Sequence, residues 1–232
     1  EFSPNSKKVH IDIDATSINK NVDVDLAILT DCEKFLSEAL KIIKDRKIQN
    51  FPTYDKWWSQ IDLWKKVDCL KYKANSDVIM PQYAIERLYE LTKDRDTYIT
   101  TEVGQHQMWA AQFYKFEEPN RWLTSGGLGT MGYGFPAANG VQVAHPESLV
   151  IDIAGDASIL MNIQELSTAV QYKLNTKIFI LNNSYMGMVR QWQQLLHGNR
   201  ISESYSDSLP DFVKLAEAYG ATGIHVKRSE EH

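Results

Sequence analysis

Several features that define particular protein classes are scarce or missing in this sequence. It has only two cysteines, Cys32 and Cys69, which form no CxxC pair, so we expect reduced thiols and no zinc site. The net charge of -5 argues against a nucleic-acid or membrane-binding face. No apolar run approaches the roughly 20 residues that span a bilayer, and no signal peptide opens the chain. The sequence predicts a soluble, cytoplasmic protein, although an import peptide on a longer precursor would leave no trace here.

What is present indicates a globular chain with a break in its pattern. Hydrophobic residues make up 43% of 232 residues, enough for one sizeable core or one core plus part of a second. Residues 7–14 alternate like a strand, and residues 31–45 have a helical apolar face with Asp31 as N-cap. We interpret residues 1–48 as the carboxyl-terminal tail of an α/β domain.

A tryptophan-rich stretch follows this tail. Residues 51–73 contain Trp57, Trp58 and Trp64 among many charges, with Thr53 as the predicted N-cap of a helix. The absence of a basic patch favours packing between domains over base stacking for these tryptophans. We therefore predict a linker over residues 49–78.

The remaining residues, 79–232, alternate between strand and helix patterns. Strands are predicted at 97–103, 121–124, 148–154, 176–182 and in "GIHV" at 223–226; helices are predicted at 81–93, 105–115, up to about 144, 162–172, 187–197 and 210–219. This alternation predicts an α/β fold with a doubly wound, mostly parallel sheet and helices on both faces. Ligands of such sheets bind beyond the carboxyl ends of the strands.

Two core strands end in polar residues that suit a hard metal ion. "SLVIDIAGD" delivers Asp156 on a glycine turn, and "TKIFILNN" ends at Asn183. A carboxylate and an amide oxygen suit Mg²⁺, whose remaining ligands are water and phosphate oxygens. A helix amino terminus predicted in residues 158–165 would also face a phosphate. The alternative interpretation is that Asp156 caps a helix and Asn183 forms a turn; the paired placement favours a metal-bridged diphosphate clamp.

The spacing from "GD" to "NN" resembles the motif of thiamine diphosphate enzymes. With "VGQHQMWAAQ", "SGGLGTMGYGFPAA", "NIQELSTA" and "GMVRQWQ", the chain resembles the carboxyl-terminal half of the catalytic subunit of the acetohydroxyacid synthase family, also called acetolactate synthases. The similarity extends over nearly the whole chain. One departure is Ala157, which stands where the motif usually has a third glycine. The resemblance also implies that the last domain is truncated at its carboxyl end.

The resemblance implies a set of site residues. Mg²⁺ would be held by Asp156, Asn183 and the carbonyl of Tyr185. Met131 would lie beneath the bent thiamine, and Trp192 would line the pocket of the second substrate; these two are the catalytic candidates. Gln105 and His106 would lie near the diphosphate. The full set of predicted cofactor contacts is Val103, Gly104, Gln105, His106, Gly129, Met131, Gly155, Asp156, Ala157, Ser158, Met161, Asn183, Tyr185, Met186, Gly187, Met188 and Val189.

Flavin adenine dinucleotide (FAD) is a second cofactor that the resemblance implies. The family binds it in the central domain without net redox chemistry. The positions that match here are Asp12, Ile13, Asp31 and Cys32. An acidic residue at a strand end can hydrogen-bond a ribose, although solvent-facing aspartates are common in strands. Because only the tail of that domain is present, we expect the flavin contacts in this chain to be incomplete.

The implied reaction joins two 2-oxo acids. Pyruvate is decarboxylated, and its two-carbon unit is added to pyruvate or 2-oxobutanoate, on the route to the branched-chain amino acids. A homodimer or larger homo-oligomer and a small regulatory subunit are the implied partners. The glutamate that activates the cofactor belongs to an amino-terminal domain of a partner subunit, so we expect residues 1–232 alone to be inactive. The motifs leave open a pyruvate oxidase, a glyoxylate carboligase, a 2-oxo acid decarboxylase, or an inert cofactor-binding module.

Overall fold

The structure of this chain is a computed structural model that describes residues 3–49, 52–73 and 77–227. It divides into two compact units, Glu1–Cys69 and Leu70–His232, here called unit 1 and unit 2. The observed division falls inside the segment predicted as a linker, and the domain boundaries at 48 and 78 stay predictions. None of the helices in the described part of the chain has the length and apolarity needed to cross a membrane.

Unit 1 contains a pair of parallel strands followed by a helix. Strands β1 (Val9–Asp12) and β2 (Leu26–Leu29) pair with Asp12 opposite Leu29, and helix α1 spans Cys32–Asp45. Asp31 caps α1, as the sequence predicts, because its carboxylate accepts the Lys34 N–H at 2.8 Å. Strand β1 is shorter than the predicted 7–14, since Asp14 leaves the strand to cap a 3₁₀ turn.

The tryptophan-rich stretch forms helix α2, which spans Asp55–Lys65. The predicted N-cap Thr53 is wrong: the cap position is Tyr54, and no side chain bonds the free amides there. The rings of Trp57 and Trp64 meet edge to face with centroids 5.4 Å apart, and both side chains are exposed. Packing of these tryptophans between domains stays a prediction.

Unit 2 is built on a four-stranded sheet. Its strands are β3 (Thr97–Thr101), β4 (Trp122–Thr124), β5 (Leu149–Gly155) and β6 (Lys177–Leu181), in the spatial order β4-β3-β5-β6, and all neighbours are parallel. The helices of this unit are α3 (Pro81–Thr92), α4 (Gln105–Phe113), α5 (Gly134–Ala144), α6 (Asp156–Ile159), α7 (Leu166–Gln171), α8 (Gly187–Leu196) and α9 (Phe212–Ala218), with a 3₁₀ segment, Leu160–Glu165, between α6 and α7.

Helices cover both faces of this sheet, which confirms the doubly wound α/β fold. Ile151 and Ile153 of β5 pack in one cluster with residues of α3 and α4, including Ile85 and Ala110. The alternate residue Ala154 packs on the opposite face with residues of α5, α6 and α7. Buried side chains on both faces are what a parallel sheet with crossover helices requires.

The strand order changes direction between β3 and β5. The chain runs from β3 outward to β4 and then returns across β3 to β5 and β6. At such a switch point, the two connections leave the carboxyl ends of neighbouring strands in opposite directions and open a crevice. The segments that follow β3 and β5 therefore border a natural ligand site.

Two predicted elements differ from the structure. Residues 223–226 are not a strand: they pair with no strand among the described residues, and Gly223 packs so closely on α9 that an added Cβ would lie 2.7 Å from the Val213 Cα. The helix predicted at 162–172 begins earlier, at Asp156, and is broken at Asn162, whose φ of -135° is not helical. The local pattern of apolar residues predicts neither the absence of the last strand nor the break at Asn162.

Candidate functional site

A cavity of about 220 Å³ opens at the switch point between β3 and β5. Its walls come from the ends of three strands, the glycine-rich loop before α5, and the start of α8. The lining residues are Val103, Gly104, Gln105, His106, Trp109, Gly129, Met131, Gly155, Asp156, Ala157, Ser158, Leu181, Asn183, Tyr185, Met186, Gly187, Met188, Val189 and Trp192. Nearly all of the residues predicted around a thiamine cofactor thus meet at one cavity.

Asp156 connects the ends of the two strands that the sequence singles out. Its side chain is only 1% exposed, and its Oδ2 accepts the N–H of Asn183 at 2.9 Å and that of Ser184 at 2.6 Å. These bonds differ from the simple helix-cap alternative, because they reach across to the segment after β6. The turn alternative does hold locally, since the Asn183 Oδ1 accepts the Tyr185 N–H at 3.0 Å.

The donor set at this point suits a hard divalent cation. Asp156 lines the cavity, and none of the hydrogen bonds found among the described residues uses its Oδ1. No group of three or more His, Cys, Asp or Glu side chains in the described ranges is placed to hold a metal. One carboxylate with amide and carbonyl oxygens matches Mg²⁺, which keeps few protein ligands beside phosphate and water. The residues present therefore fit a magnesium-bridged diphosphate.

The segment after β6 is held in place by a returning strand-like segment. Tyr185 pairs with Tyr205 in an antiparallel bridge, and the two rings lie 4.9 Å apart. The Met186 N–H donates to the Ser204 carbonyl at 2.9 Å, and the guanidinium of Arg190 lies 3.9 Å from the centre of the Tyr185 ring. The Tyr185 side chain is thus used in packing, which leaves only its backbone as a candidate metal ligand.

His106 lies in a slot that only glycine neighbours permit. A Cβ added at Gly104 would lie 2.7 Å from the His106 Cε1, and one added at Gly155 would lie 2.7 Å from its Nδ1. Burial lowers the pKa of His106 to about 4, and a hydrogen bond with the Glu102 backbone acts in the opposite direction. The imidazole is therefore neutral at pH 7. Its buried Nε2 has no hydrogen-bond partner among the described residues, and other atoms of His106 line the cavity.

Helices α4 and α8 both begin at the cavity. Gln105 opens α4, and its Nε2 donates to the Gln191 Oε1 of α8 at 3.0 Å. Gly187 opens α8 so close to α4 that an added Cβ would lie 2.2 Å from the Gln105 Oε1. The amino terminus predicted in 158–165 is instead a short α6 turn and a 3₁₀ segment. The first turns of α4 and α8 therefore bring partial positive charge to the cavity.

Some site residues depart from the sequence-based prediction. Met161 is exposed and does not line the cavity, because it lies on the 3₁₀ segment behind Gly132. Trp109 and Leu181 line the cavity but were not predicted. Trp109 is one helical turn after Gln105, a spacing that could have indicated it, and Leu181 ends β6 directly before the asparagines. Ala157 lies in α6 with negative φ, so glycine is not needed there.

The predicted flavin residues all lie in unit 1. Asp12 is the last residue of β1 and Ile13 follows it, while Asp31 and Cys32 follow the end of the parallel neighbour β2. Both acidic side chains bond nearby backbone: Asp12 accepts the Asp14 N–H at 2.9 Å, and Asp31 caps α1. The structure thus brings all four residues to the carboxyl-terminal end of the two-stranded parallel sheet.

Comparison with known families decides which cofactor the cavity serves. Residues 102–232 match the family "Thiamine pyrophosphate enzyme, C-terminal TPP binding domain". The chain belongs to the thiamine pyrophosphate enzymes. Thiamine pyrophosphate, another name for thiamine diphosphate, is therefore the cofactor of unit 2. The matched range includes every lining residue of the cavity.

Individual thiamine pyrophosphate enzymes are similar over the whole chain. The acetolactate synthase isozyme 3 large subunit of Escherichia coli is 50% identical over 232 residues, which are 100% of this chain and 40% of the relative. The acetolactate synthase large subunit of Haemophilus influenzae is 48% identical over 231 residues, 100% of this chain and 40% of the relative. That of the alga Cyanidium caldarium is 44% identical over 234 residues, 100% and 39% respectively. The chain thus spans about two fifths of these relatives.

Proposed function

We propose that this chain is the thiamine pyrophosphate-binding part of an acetolactate synthase large subunit. The whole protein decarboxylates pyruvate and joins the two-carbon unit to pyruvate or 2-oxobutanoate. The observation that carries this proposal is the bond from Asn183 to Asp156 at a cavity lined by the family's residues. The names of the relatives favour this activity over an oxidase, carboligase or decarboxylase.

In this proposal, the residues of unit 2 bind and orient the cofactor. Asp156, Asn183 and the Tyr185 carbonyl hold Mg²⁺ against the diphosphate, while the amino termini of α4 and α8 face its negative charge. The bound thiamine pyrophosphate supplies the reactive carbon and the electron sink that stabilises the two-carbon unit. His106, which is buried and lines the cavity, would lie beside the cofactor.

In the proposal, two cavity residues position the reacting groups: one contacts the cofactor and the other contacts the second substrate. Met131 lines the cavity and would hold the bound thiamine in its reactive conformation. Trp192 lies at the mouth of the cavity, where it also borders a groove with Arg200 and His197, and contacts the second 2-oxo acid. An apolar wall there favours the longer 2-oxobutanoate, since one more methylene in a hydrophobic pocket contributes about 1 to 3 kcal/mol.

The proposal extends to a second cofactor and to partners. Asp12, Ile13, Asp31 and Cys32 at the strand edge of unit 1 contribute to a flavin site, supported by their shared edge. The relatives are named large subunits, which supports a small regulatory subunit as a partner of the whole protein. We also propose a homo-oligomer that works in the cytoplasm.

The experiment removes the bridging carboxylate. In a protein that carries this sequence at the length of its relatives, Asp156→Asn keeps the side-chain shape but loses the charge that holds the cation. Calorimetric titration with thiamine pyrophosphate at fixed Mg²⁺ is expected to show at least a hundredfold weaker binding, with acetolactate formation from pyruvate lost in parallel. Unchanged affinity would remove Asp156 from the site.

Asp211→Asn is a matched control for that variant. Asp211 also accepts two backbone N–H groups, those of Val213 and Lys214 at 3.1 and 3.2 Å, but it caps α9 away from the cavity. Cofactor affinity is expected to stay unchanged in this control. Product analysis of the unmodified protein also separates the enzyme classes, because a decarboxylase would release acetaldehyde, and an oxidase would consume oxygen.

A further inference from the structure

The glycine-rich loop before α5 is held from two sides at Gly132. The Gly132 N–H donates to the Glu102 Oε2 at 2.5 Å, and the Gly132 carbonyl accepts the Asn162 Nδ2 at 2.6 Å. The preceding loop residues, 126–130, are exposed, whereas Gly132 is buried. The loop therefore changes from solvent-exposed to buried and hydrogen-bonded at Gly132, the residue that follows Met131.

The fit at Gly132 excludes any side chain. Its φ is +88°, a left-handed value that glycine adopts without strain. A Cβ added there would lie 2.8 Å from the Asn162 Nδ2 and 3.0 Å from the Met161 Cβ. Asn162 can approach this backbone because it breaks the helical path of its own segment, with φ of -135°. These three features form one closely fitted contact.

Glu102 is buried without touching the cavity. It is fully inaccessible to solvent, and its Oε1 accepts the Phe135 N–H at 3.0 Å while its Oε2 accepts that of Gly132. Burial raises the pKa of this carboxyl group, and the N–H groups of Phe135, Gly132 and Gly134 partly offset that effect. Burying a carboxylic acid is costly, so a buried one calls for a specific use. Its observed use is to grip the loop.

We propose that Glu102 and Asn162 are positioning residues that fix Met131 at the cofactor cavity by clamping Gly132. The N–H that Glu102 holds belongs to the peptide bond between Met131 and Gly132, so that bond fixes the Met131 backbone. Asn162 holds the next peptide unit. The role of Met131 beneath thiamine rests on the proposed function. A displacement of the order of 1 Å at a reacting centre can slow turnover about a hundredfold.

The test is a double-mutant cycle in a protein of the relatives' length. Asn162→Ala, Met131→Ala and the double variant are compared by kcat and by KM for pyruvate. Each single change is expected to lower kcat roughly tenfold with little change in KM, and the double variant is expected to lose no more than the worse single variant. Two residues that act through one contact are non-additive in this way. Fully multiplicative losses would overturn the proposal.

Asn139→Ala is the matched control. Asn139 also donates from its amide to a backbone carbonyl, that of Glu165 at 3.3 Å, and none of the hydrogen bonds found among the described residues joins it to Gly132. Combined with Met131→Ala, this change is expected to act independently on kcat. If Asn162→Ala fails to fold, Asn162→Asp keeps the volume and places a carboxylate against the Gly132 carbonyl, so the same coupling is expected.

Hydrogen exchange gives a readout that does not need the reaction. Asn162→Ala is expected to speed exchange of the amides of residues 132–135 at least tenfold without cofactor, whereas Asn139→Ala leaves them protected. Equal protection in both variants would contradict the clamp even if the enzyme is active. If instead the unmodified protein makes no acetolactate, the proposed function fails, and the exchange result alone decides the clamp.

Discussion

The two units follow the same strand-then-helix order but differ in what they bury. In unit 2, Ile99 and Ile153 lie on neighbouring strands and are completely buried. In unit 1, none of the described residues 3–49 and 52–69 is buried, and Leu29 on β2 remains 61% exposed. An amphipathic pattern therefore predicts which face of an element is apolar, but not whether anything in the same unit covers it.

This difference affects the two candidate cofactor sites. The thiamine pyrophosphate cavity lies at the edge of a sheet whose faces are both packed, so its ligands are held on rigid elements. The proposed flavin residues lie at the edge of a two-stranded sheet, which is only marginally stable without further packing. We therefore expect substitutions in unit 2 to change stability and cofactor binding together.

The largest predicted effect separates the two units by their cores. Ile153→Ala removes three carbons from a fully buried site in β5 and is expected to cost about 2 to 5 kcal/mol of unfolding free energy. Leu29→Ala removes the same number of carbons from an exposed site in β2 and is expected to cost less than about 1 kcal/mol. Hydrogen exchange of the β3 and β5 amides, compared with the β1 and β2 amides, measures both. Equal costs would show that unit 1 has a core of its own.

The second prediction concerns buried charge in unit 2. Asp152 is completely buried, and burial raises its pKa well above the usual value; the negative charge of Glu102 adds to this, while the Thr100 hydroxyl opposes it. The folded state therefore keeps a proton that the unfolded state loses above the usual carboxyl pKa. Stability from this group is complete below that pKa and falls as pH rises toward the folded-state pKa.

Asp152→Asn is expected to remove that pH dependence. The asparagine Oδ1 can still accept the Thr100 hydroxyl, which lies 3.0 Å from the Asp152 Oδ1. Between pH 5 and pH 7, the variant should gain about 1 to 3 kcal/mol relative to the unmodified protein in urea unfolding. Parallel pH profiles for the variant and the unmodified protein would contradict a buried neutral Asp152.

Much of the scaffold was predictable because its signals are local. The apolar runs that end at Asp156 and Asn183 predicted two parallel core strands, and their carboxyl ends do meet. The failures arose where no local pattern exists. Strand β2, Leu26–Leu29, is a short run that was not predicted as a strand. The segment "GIHV" has strand-like residues, but its Gly223 packs on α9 instead.

The support of the site was less predictable than its lining. Glu102 and Asn162 each lie 30 positions from Gly132, one before it and one after, so no sequence window brings them together. The motif "NIQELSTA" begins at Asn162, but it predicts neither a role nor a partner for that residue. Met161, one position earlier, was assigned to the cofactor although the 3₁₀ segment turns it outward. A change of helix type by a single residue is below what apolar periodicity resolves.

The smallest predicted effect compares two tryptophans of similar exposure. Trp192 in unit 2 is 60% exposed and lines the cavity, and Trp58 in unit 1 is 57% exposed. In the protein of the relatives' length, Trp192→Leu is expected to reduce the preference for 2-oxobutanoate over pyruvate roughly tenfold, because the indole contacts the additional methylene. Acetolactate formation from pyruvate alone should change little.

Trp58→Leu removes the same indole from helix α2 in unit 1, and its product ratio is expected to match that of the unmodified protein. Both acceptors compete in one vessel, and the ratio of the two products is measured directly, which cancels differences in enzyme concentration and folding. If both variants shift the ratio equally, exposure of an indole rather than its place at the cavity governs the effect. If neither does, Trp192 does not contact the acceptor, and the apolar wall that selects the longer substrate must lie deeper, at Met131 or Val189.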